Sequence, residues 1–416
     1  MLKKGLILFI VLFFATGVEA AVIKIGLNYP KTGPYSIQGL AQLKAAEMAV
    51  EEINKAGGIL GREIQLVIRD SQSKAGLAKK NVEELIDSEG CEMIFGGSAS
   101  SVAIAGGKAA KSRGKLYFGT LTYSNATTGK EAHKYLFREC YNAWMGAKVL
   151  SEYLKENFSG KRYFYVTANY TWGWTTEESI RKFSRSLDSK RHKRVLTPFP
   201  GATDADFEKA LIRAESSRAE VLVLVLFGND MAKAVKLATQ MGLKKRMDIV
   251  VPNITLGMAE SAGPSIVEGV VGALPWCWKI PYIYNYPKGK AFVESFAAKY
   301  KSYPSTSAAS AYTILFQYID AVQRAGTFDS KAVINTLEGH KFTSLKDAQT
   351  WRAFDHQSVQ TVYAVKCKSY DEIAKDKFKQ DYFEIMKTMS GEKAARSKAR
   401  WIRVRKAAGK AEALEW

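Results

Sequence analysis

The stretch Glu51–Gln72, EEINKAGGILGREIQLVIRDSQ, constrains the fold of this chain more than any other. An amphipathic helix runs into Gly57-Gly58, and glycine is the usual residue for ending a helix in a left-handed turn. The short connection Ile59-Leu60-Gly61-Arg62 leads straight into an expected strand, Glu63–Arg69, which ends in the polar Asp70-Ser71-Gln72. Helix, double glycine, strand and polar strand end make one unit of an open α/β sheet, and such sheets bind ligands beyond the carboxyl ends of their strands.

The same rhythm runs along most of the chain. Ile23, Ile25 and Leu27 alternate as a first strand should. Further strands are expected at Met93–Phe95 and Leu116–Phe118, with helices between, and a parallel sheet with right-handed crossovers follows. A second series begins near Asn142, with strands expected at Arg162–Thr167, Arg194–Leu196, Val221–Phe227 and Asp248–Val251. Val221–Phe227 is continuously apolar, as a strand buried on both faces must be. After Gly269–Leu274 the order changes. Pro275-Trp276-Cys277-Trp278 reads as an ordered crossover, helices Lys290–Lys301 and Ser307–Arg324 follow, and Gln360–Lys366 reads as a late strand.

The 416 residues leave room for two lobes. Lys3 and Lys4 precede the apolar run Leu6–Phe14, and Val18-Glu19-Ala20 supplies a small-residue cleavage site. This pattern predicts a secretory leader at residues 1–20 and an exported protein. The formal net charge is +20, and the segment Lys393–Lys410 carries eight basic residues and no acid. For an exported chain nucleic acid is a poor partner. The basic end, 389–416, reads as a solvated, partly disordered tail, or as a contact with anionic lipid or cell wall. Cys91, Cys140, Cys277 and Cys367 leave disulfides open, and the four histidines do not combine with them at metal-binding spacing. No nucleophile elbow, phosphate-binding glycine loop or metalloprotease motif stands in a supporting context, so no enzyme, metal or cofactor is expected.

Several segments together resemble the type I periplasmic solute-binding proteins of ABC importers, of the branched-chain amino acid-binding type. They are Gly33-Pro34 and Gly39, the AGGILGR segment before Asp70-Ser71-Gln72, Gly96-Gly97-Ser98-Ala99-Ser100-Ser101, Trp172-Gly173, and Asp206-Phe207 followed by the apolar strand and Gly228. The resemblance covers Val22 to Lys366. It implies an α/β fold of two lobes, each a parallel sheet flanked by helices, joined by three hinge crossings near Arg138–Tyr141, Leu274–Ile280 and Leu337–Thr343. Residues 21–139 with 280–340 would form lobe one, and 140–279 with 341–388 lobe two. A small polar solute (an amino acid, an amide or urea-like compound, or an aromatic acid) would be captured between the lobes by hinge closure. A monomer in the periplasm would then deliver it to an ABC permease in the inner membrane. The alternative is a sensory protein of the same fold that signals to a membrane receptor.

The strand-end rule and the resemblance nominate the same residues. Lobe one offers Tyr35, Gln38, Ser100, Ser101, Thr122 and Tyr123; lobe two offers Trp172, Phe227, Asn229, Asp230 and Asn253. Ser100 and Ser101 stand where a strand enters a helix, so they suit a carboxylate or simply cap that helix. Trp172 reads as a stacking wall or as packing at the rim, and Asp230 as a helix cap or a counter-charge. The resemblance places an acid on lobe two to meet a ligand ammonium, where this chain has the neutral Asn253, and a threonine where it has the bulkier Tyr123. Both departures weaken the α-amino acid reading and make a neutral amide or urea-like solute, or an aromatic carboxylate, competitive; an inward-turned Asp230 would restore the amino acid.

Overall fold

A computed structural model describes residues 22–416, so the expected leader lies outside the described residues. The first sheet has five strands in the spatial order Ile64–Asp70, Ile23–Tyr29, Met93–Gly97, Leu116–Thr120, Leu136–Arg138, all parallel. The Glu51–Gln72 unit forms as expected. Helix Ser36–Lys55 ends at Ala56, Gly57 and Gly58 follow with positive φ, and strand Ile64–Asp70 pairs beside Ile23–Tyr29. Helix Thr306–Ala325, far along the chain, packs against Ser36–Lys55 and so belongs to this first body. The short strand Leu136–Arg138 has no counterpart in the sequence reading.

The second sheet has seven strands. Val271–Leu274, Asp248–Val251, Val221–Val225, Tyr163–Ala168 and Lys193–Thr197 run parallel in that spatial order. Val362–Cys367 joins the Val271–Leu274 edge antiparallel, and Phe383–Met389 pairs antiparallel outside it. Val221–Val225 is wholly buried between its neighbours, which accounts for its unbroken apolar run. Three passages link the two sheets. The first follows Arg138 and the second follows Leu274. The third, after helix Ser330–Leu337, is longer than the crossing expected there and carries a small antiparallel sheet of Lys341–Phe342, Gln349–Trp351 and Ser358–Val359.

The basic C-terminal segment is folded, against the expectation of a partly disordered tail. Helix Gly391–Ala394 packs on helix Ala143–Asn157 of the second body. Helix Lys398–Ala407 then turns its Trp401 and Arg405 inward. The Trp401 indole donates to the Thr128 carbonyl at 2.9 Å. The Arg405 guanidinium, fully buried, donates to the carbonyls of Gly129, Ala132, Ala411 and Ala413. The last residue, Trp416, meets Tyr135 edge-on beneath the ammonium groups of Lys134 and Lys331. The segment thus straps the second body to the first. All four cysteines are buried free thiols, so the disulfides left open by the sequence are not formed. Among the described residues, no helix is long and apolar enough to cross a membrane.

An interlobe cleft as the candidate functional site

The carboxyl ends of the two sheets face each other. On the first body, helix Ser36–Lys55 starts so close to the loop before it that a Cβ on Gly39 would lie 2.0 Å from the Pro30 carbonyl oxygen. That approach brings Tyr35 and Gln38 into the cleft. The Gln42 amide donates to Ser98 Oγ at 2.6 Å and accepts from Thr120 Oγ1 at 2.9 Å, tying two strand ends together. Ser100 Oγ accepts from the Ser124 N–H at 2.9 Å. Arg138, wholly buried at the first passage, donates to the carbonyls of Thr122 and Ser124, to Thr128 Oγ1 and to Gln357 Oε1. A guanidinium presents five donors in a fixed fork, so one side chain can hold the Thr122–Thr128 loop against the hinge.

On the second body, Trp172 lies in the first turn of helix Thr171–Phe183 rather than in the expected loop Asn169–Trp174. Its indole donates to Asn253 Oδ1 at 3.2 Å; the Asn253 amide donates to the Tyr141 hydroxyl at 2.5 Å, which donates to the Ala273 carbonyl at 3.0 Å. Both ends of Asn253 are therefore spent on aligning two aromatic rings. Phe227 meets Tyr35, Tyr123 and Trp172 edge-on, with centroids 5.1, 5.8 and 5.8 Å away. Tyr123 stacks on Tyr141 at 5.0 Å, and Phe199 stacks on Tyr170 at 4.0 Å. The result is an aromatic seam drawn from both bodies.

Polar contacts cross the seam. The Tyr35 and Tyr170 hydroxyls are 2.7 Å apart, Gln38 Nε2 donates to Thr255 Oγ1 at 3.3 Å, and the Asn229 N–H donates to the Pro34 carbonyl at 2.9 Å. Ser124 Oγ lies 3.0 Å from Thr171 Oγ1 and 3.2 Å from Thr175 Oγ1. At Gly228, φ is +61° and a Cβ would lie 2.3 Å from the Pro34 oxygen, so a glycine there lets the two bodies touch. The lobes are closed on each other. Among the described residues, Thr122 Oγ1 and Gln38 Oε1 are buried here without a protein partner.

Asp230, the third residue of helix Gly228–Gln240, is buried and caps nothing. Among the described residues no hydrogen bond or ion pair reaches its carboxylate. Burial pushes its pKa up to about 6, against a smaller opposing pull from Lys233. Its field in turn raises the Tyr35 and Tyr170 hydroxyls, though burial is the larger cause for both. The acid therefore acts electrostatically on the tyrosine pair that spans the cleft.

Of the nominated residues, Tyr35, Gln38, Thr122, Tyr123, Trp172, Phe227, Asn229, Asp230 and Asn253 lie along this seam. Ser100 stands behind it, holding Ser124 through its hydroxyl, and Ala99 rather than Ser100 takes the helix-cap position. Ser101, the next residue of helix Ser100–Lys111, is half-buried, with no contact that ties it to the seam. Sequence reasoning missed Ser124, Tyr141, Tyr170 and Phe199. Tyr170 and Phe199 follow the ends of strands Tyr163–Ala168 and Lys193–Thr197, so the strand-end rule applied to every strand would have found both.

Comparison with known proteins agrees with this architecture. Over 359 residues the chain is 24% identical to a Leu/Ile/Val-binding protein homolog of Brucella melitensis, covering 83% of each chain. A crystal structure of a periplasmic binding protein from Burkholderia mallei superposes with a TM-score of 0.82 at 26% identity, covering 91% of this chain and 97% of that one. A solute-binding protein of an R. palustris ABC transporter, in complex with benzoate, shares the fold with a TM-score of 0.75 at 21% identity, covering 89% of this chain and 97% of that one. A sequence profile described as periplasmic binding protein matches residues 22–374. With that match over most of its length, and with two α/β bodies closed on a polar and aromatic seam, the chain belongs to the periplasmic binding protein family.

Proposed function

We propose that this protein captures an amino acid with a large apolar or aromatic side chain in the periplasm and hands it to an ABC permease. It would bind without turnover and act as a monomer. The observation that carries the reading is Asp230: a largely buried acid whose carboxylate takes no protein hydrogen bond and whose field reaches the Tyr35–Tyr170 pair that closes the cleft. A buried acid is expensive to keep without a cation, and a ligand ammonium would supply one. Thr122 Oγ1 and Gln38 Oε1 remain for the other polar groups of the ligand, and Tyr123, Trp172 and Phe227 for its side chain. This moves the counter-charge from Asn253, which is already occupied, to Asp230. The relative named for leucine, isoleucine and valine supports the same class.

A second reading, an aromatic carboxylate, is favoured by the density of rings in the seam and by the benzoate held in a neighbour of like fold. Affinity measured between pH 5 and 7 separates the two. An ammonium ligand favours ionised Asp230, so its affinity rises as pH climbs through about 6. A carboxylate without an amine meets a growing like charge over the same range, and its affinity falls.

A further inference from the structure

Away from the cleft, three cations converge on one buried ring. The guanidinium carbons of Arg400 and Arg396 lie 4.3 and 5.0 Å from the centroid of Trp144, and the Lys182 ammonium lies 5.2 Å from it. Every pair therefore falls within about one Debye length at 0.1 M salt, roughly 10 Å. Arg403, further along the Lys398–Ala407 helix, adds to the same positive field. The acids that act on these cations are Glu178, exposed like Lys182 itself, and Asp355, which Arg352 already holds at 2.5 Å. Among the described residues, none of Lys182, Arg396, Arg400 or Arg403 forms an ion pair.

Arg396 makes the arrangement unusual. It is 8% exposed, and its Nε–H is buried with no acceptor. An aromatic face attracts a cation, but it satisfies no guanidinium hydrogen, and one ring is a small counterweight to three charges. A tetrahedral oxyanion supplies what is missing: several acceptor oxygens and a compact negative charge, which the guanidinium fork matches. We propose that this cluster binds a phosphate-type oxyanion, with Arg396 and Arg400 as donors and Lys182 closing the site from helix Thr171–Phe183. Bound there, the anion pins the C-terminal strap to the second body. It also gives the basic tail a defined ligand in place of diffuse attraction.

Such an oxyanion can come from free phosphate or from a lipid headgroup. Thermal unfolding of the mature protein is followed while inorganic phosphate replaces chloride at constant ionic strength. Vesicles of phosphatidylglycerol are compared with phosphatidylcholine by co-sedimentation. A saturable rise of several degrees in Tm, with phosphate affinity at least tenfold weaker in Arg400→Gln and Lys182→Gln, supports a free oxyanion. Sedimentation with phosphatidylglycerol alone, lost in Arg400→Gln, supports the headgroup. Lys398→Gln, an exposed charge outside the cluster on the same helix, should leave either effect intact. The proposal is overturned if neither probe has an effect, or if Lys398→Gln weakens binding as much as Arg400→Gln.

Discussion

Asp230 and Asn253 exchange the roles that their sequence positions suggest. Asn253 stands where the resemblance expects a counter-charge, yet it is bound at both ends by Trp172 and Tyr141. Asp230 looks like an ordinary helix cap, yet Phe227 holds the cap position and the carboxylate is buried where its field reaches two tyrosines. Neither fact is legible in the sequence, because both depend on which side chains three separate strand ends bring together. The consequence for stability has a definite sign. A carboxyl whose folded pKa lies near 6, above its unfolded value near 3.8, contributes fully only below the unfolded value. That contribution is lost as pH rises from about 4 to about 6. The shift corresponds to roughly 3 kcal/mol. Asp230→Asn should therefore stabilise the unliganded protein at pH 7 by up to about that amount and flatten its stability between pH 4 and 6. Urea unfolding at several pH values measures this, and the same variant should bind an ammonium ligand poorly. An unchanged pH profile would show that Asp230 is not the strained group.

At the scale of elements, the alternation of strands and helices was largely legible, because each unit carries its own apolar period and its own glycine. Helix Ser36–Lys55 into strand Ile64–Asp70 is the clearest case. The short strands of the third passage were not, since two or three residues carry no period. The C-terminal strap was hidden for another reason. Its Lys and Arg residues read as solvated charge, but Arg405 is spent on backbone carbonyls and Trp401 on the Thr128 oxygen. Arg405→Met would leave four carbonyls without their donor. It should cost about 3 kcal/mol and free the end of the chain. Denaturant unfolding gives the energy, and limited proteolysis should show earlier cleavage after residue 390. Loss of less than about 0.5 kcal/mol would mean that the strap does not hold the two bodies.

For the whole molecule, the two-body architecture is what the family resemblance implies, and the break in strand order after Leu274 falls at the second passage between the two sheets. The closed seam is not legible in the sequence, because its contacts join residues such as Pro34 and Asn229, or Tyr35 and Tyr170, that lie far apart along the chain. Closure around a ligand is a shift between open and closed populations, driven by contacts made to both bodies. Gly228 offers a way to disturb that balance, although its φ of +61° also strains an alanine in either form. A methyl group there meets Pro34 and Tyr35 only when the bodies touch, so Gly228→Ala should favour the open form and weaken solute binding at least tenfold, about 1.4 kcal/mol. Small-angle scattering should then show a larger radius of gyration.

Capture of a solute between the two bodies is tested most directly by calorimetric titration of the mature protein. The titrants are leucine, isoleucine, valine, phenylalanine, tyrosine and benzoate, each with the wild type and with Trp172→Ala. One class should bind with one solute per chain, and that affinity should fall at least tenfold in the variant, since Trp172 forms a wall of the seam. Binding left unchanged by Trp172→Ala would place the solute somewhere other than the interlobe cleft and contradict the central claim.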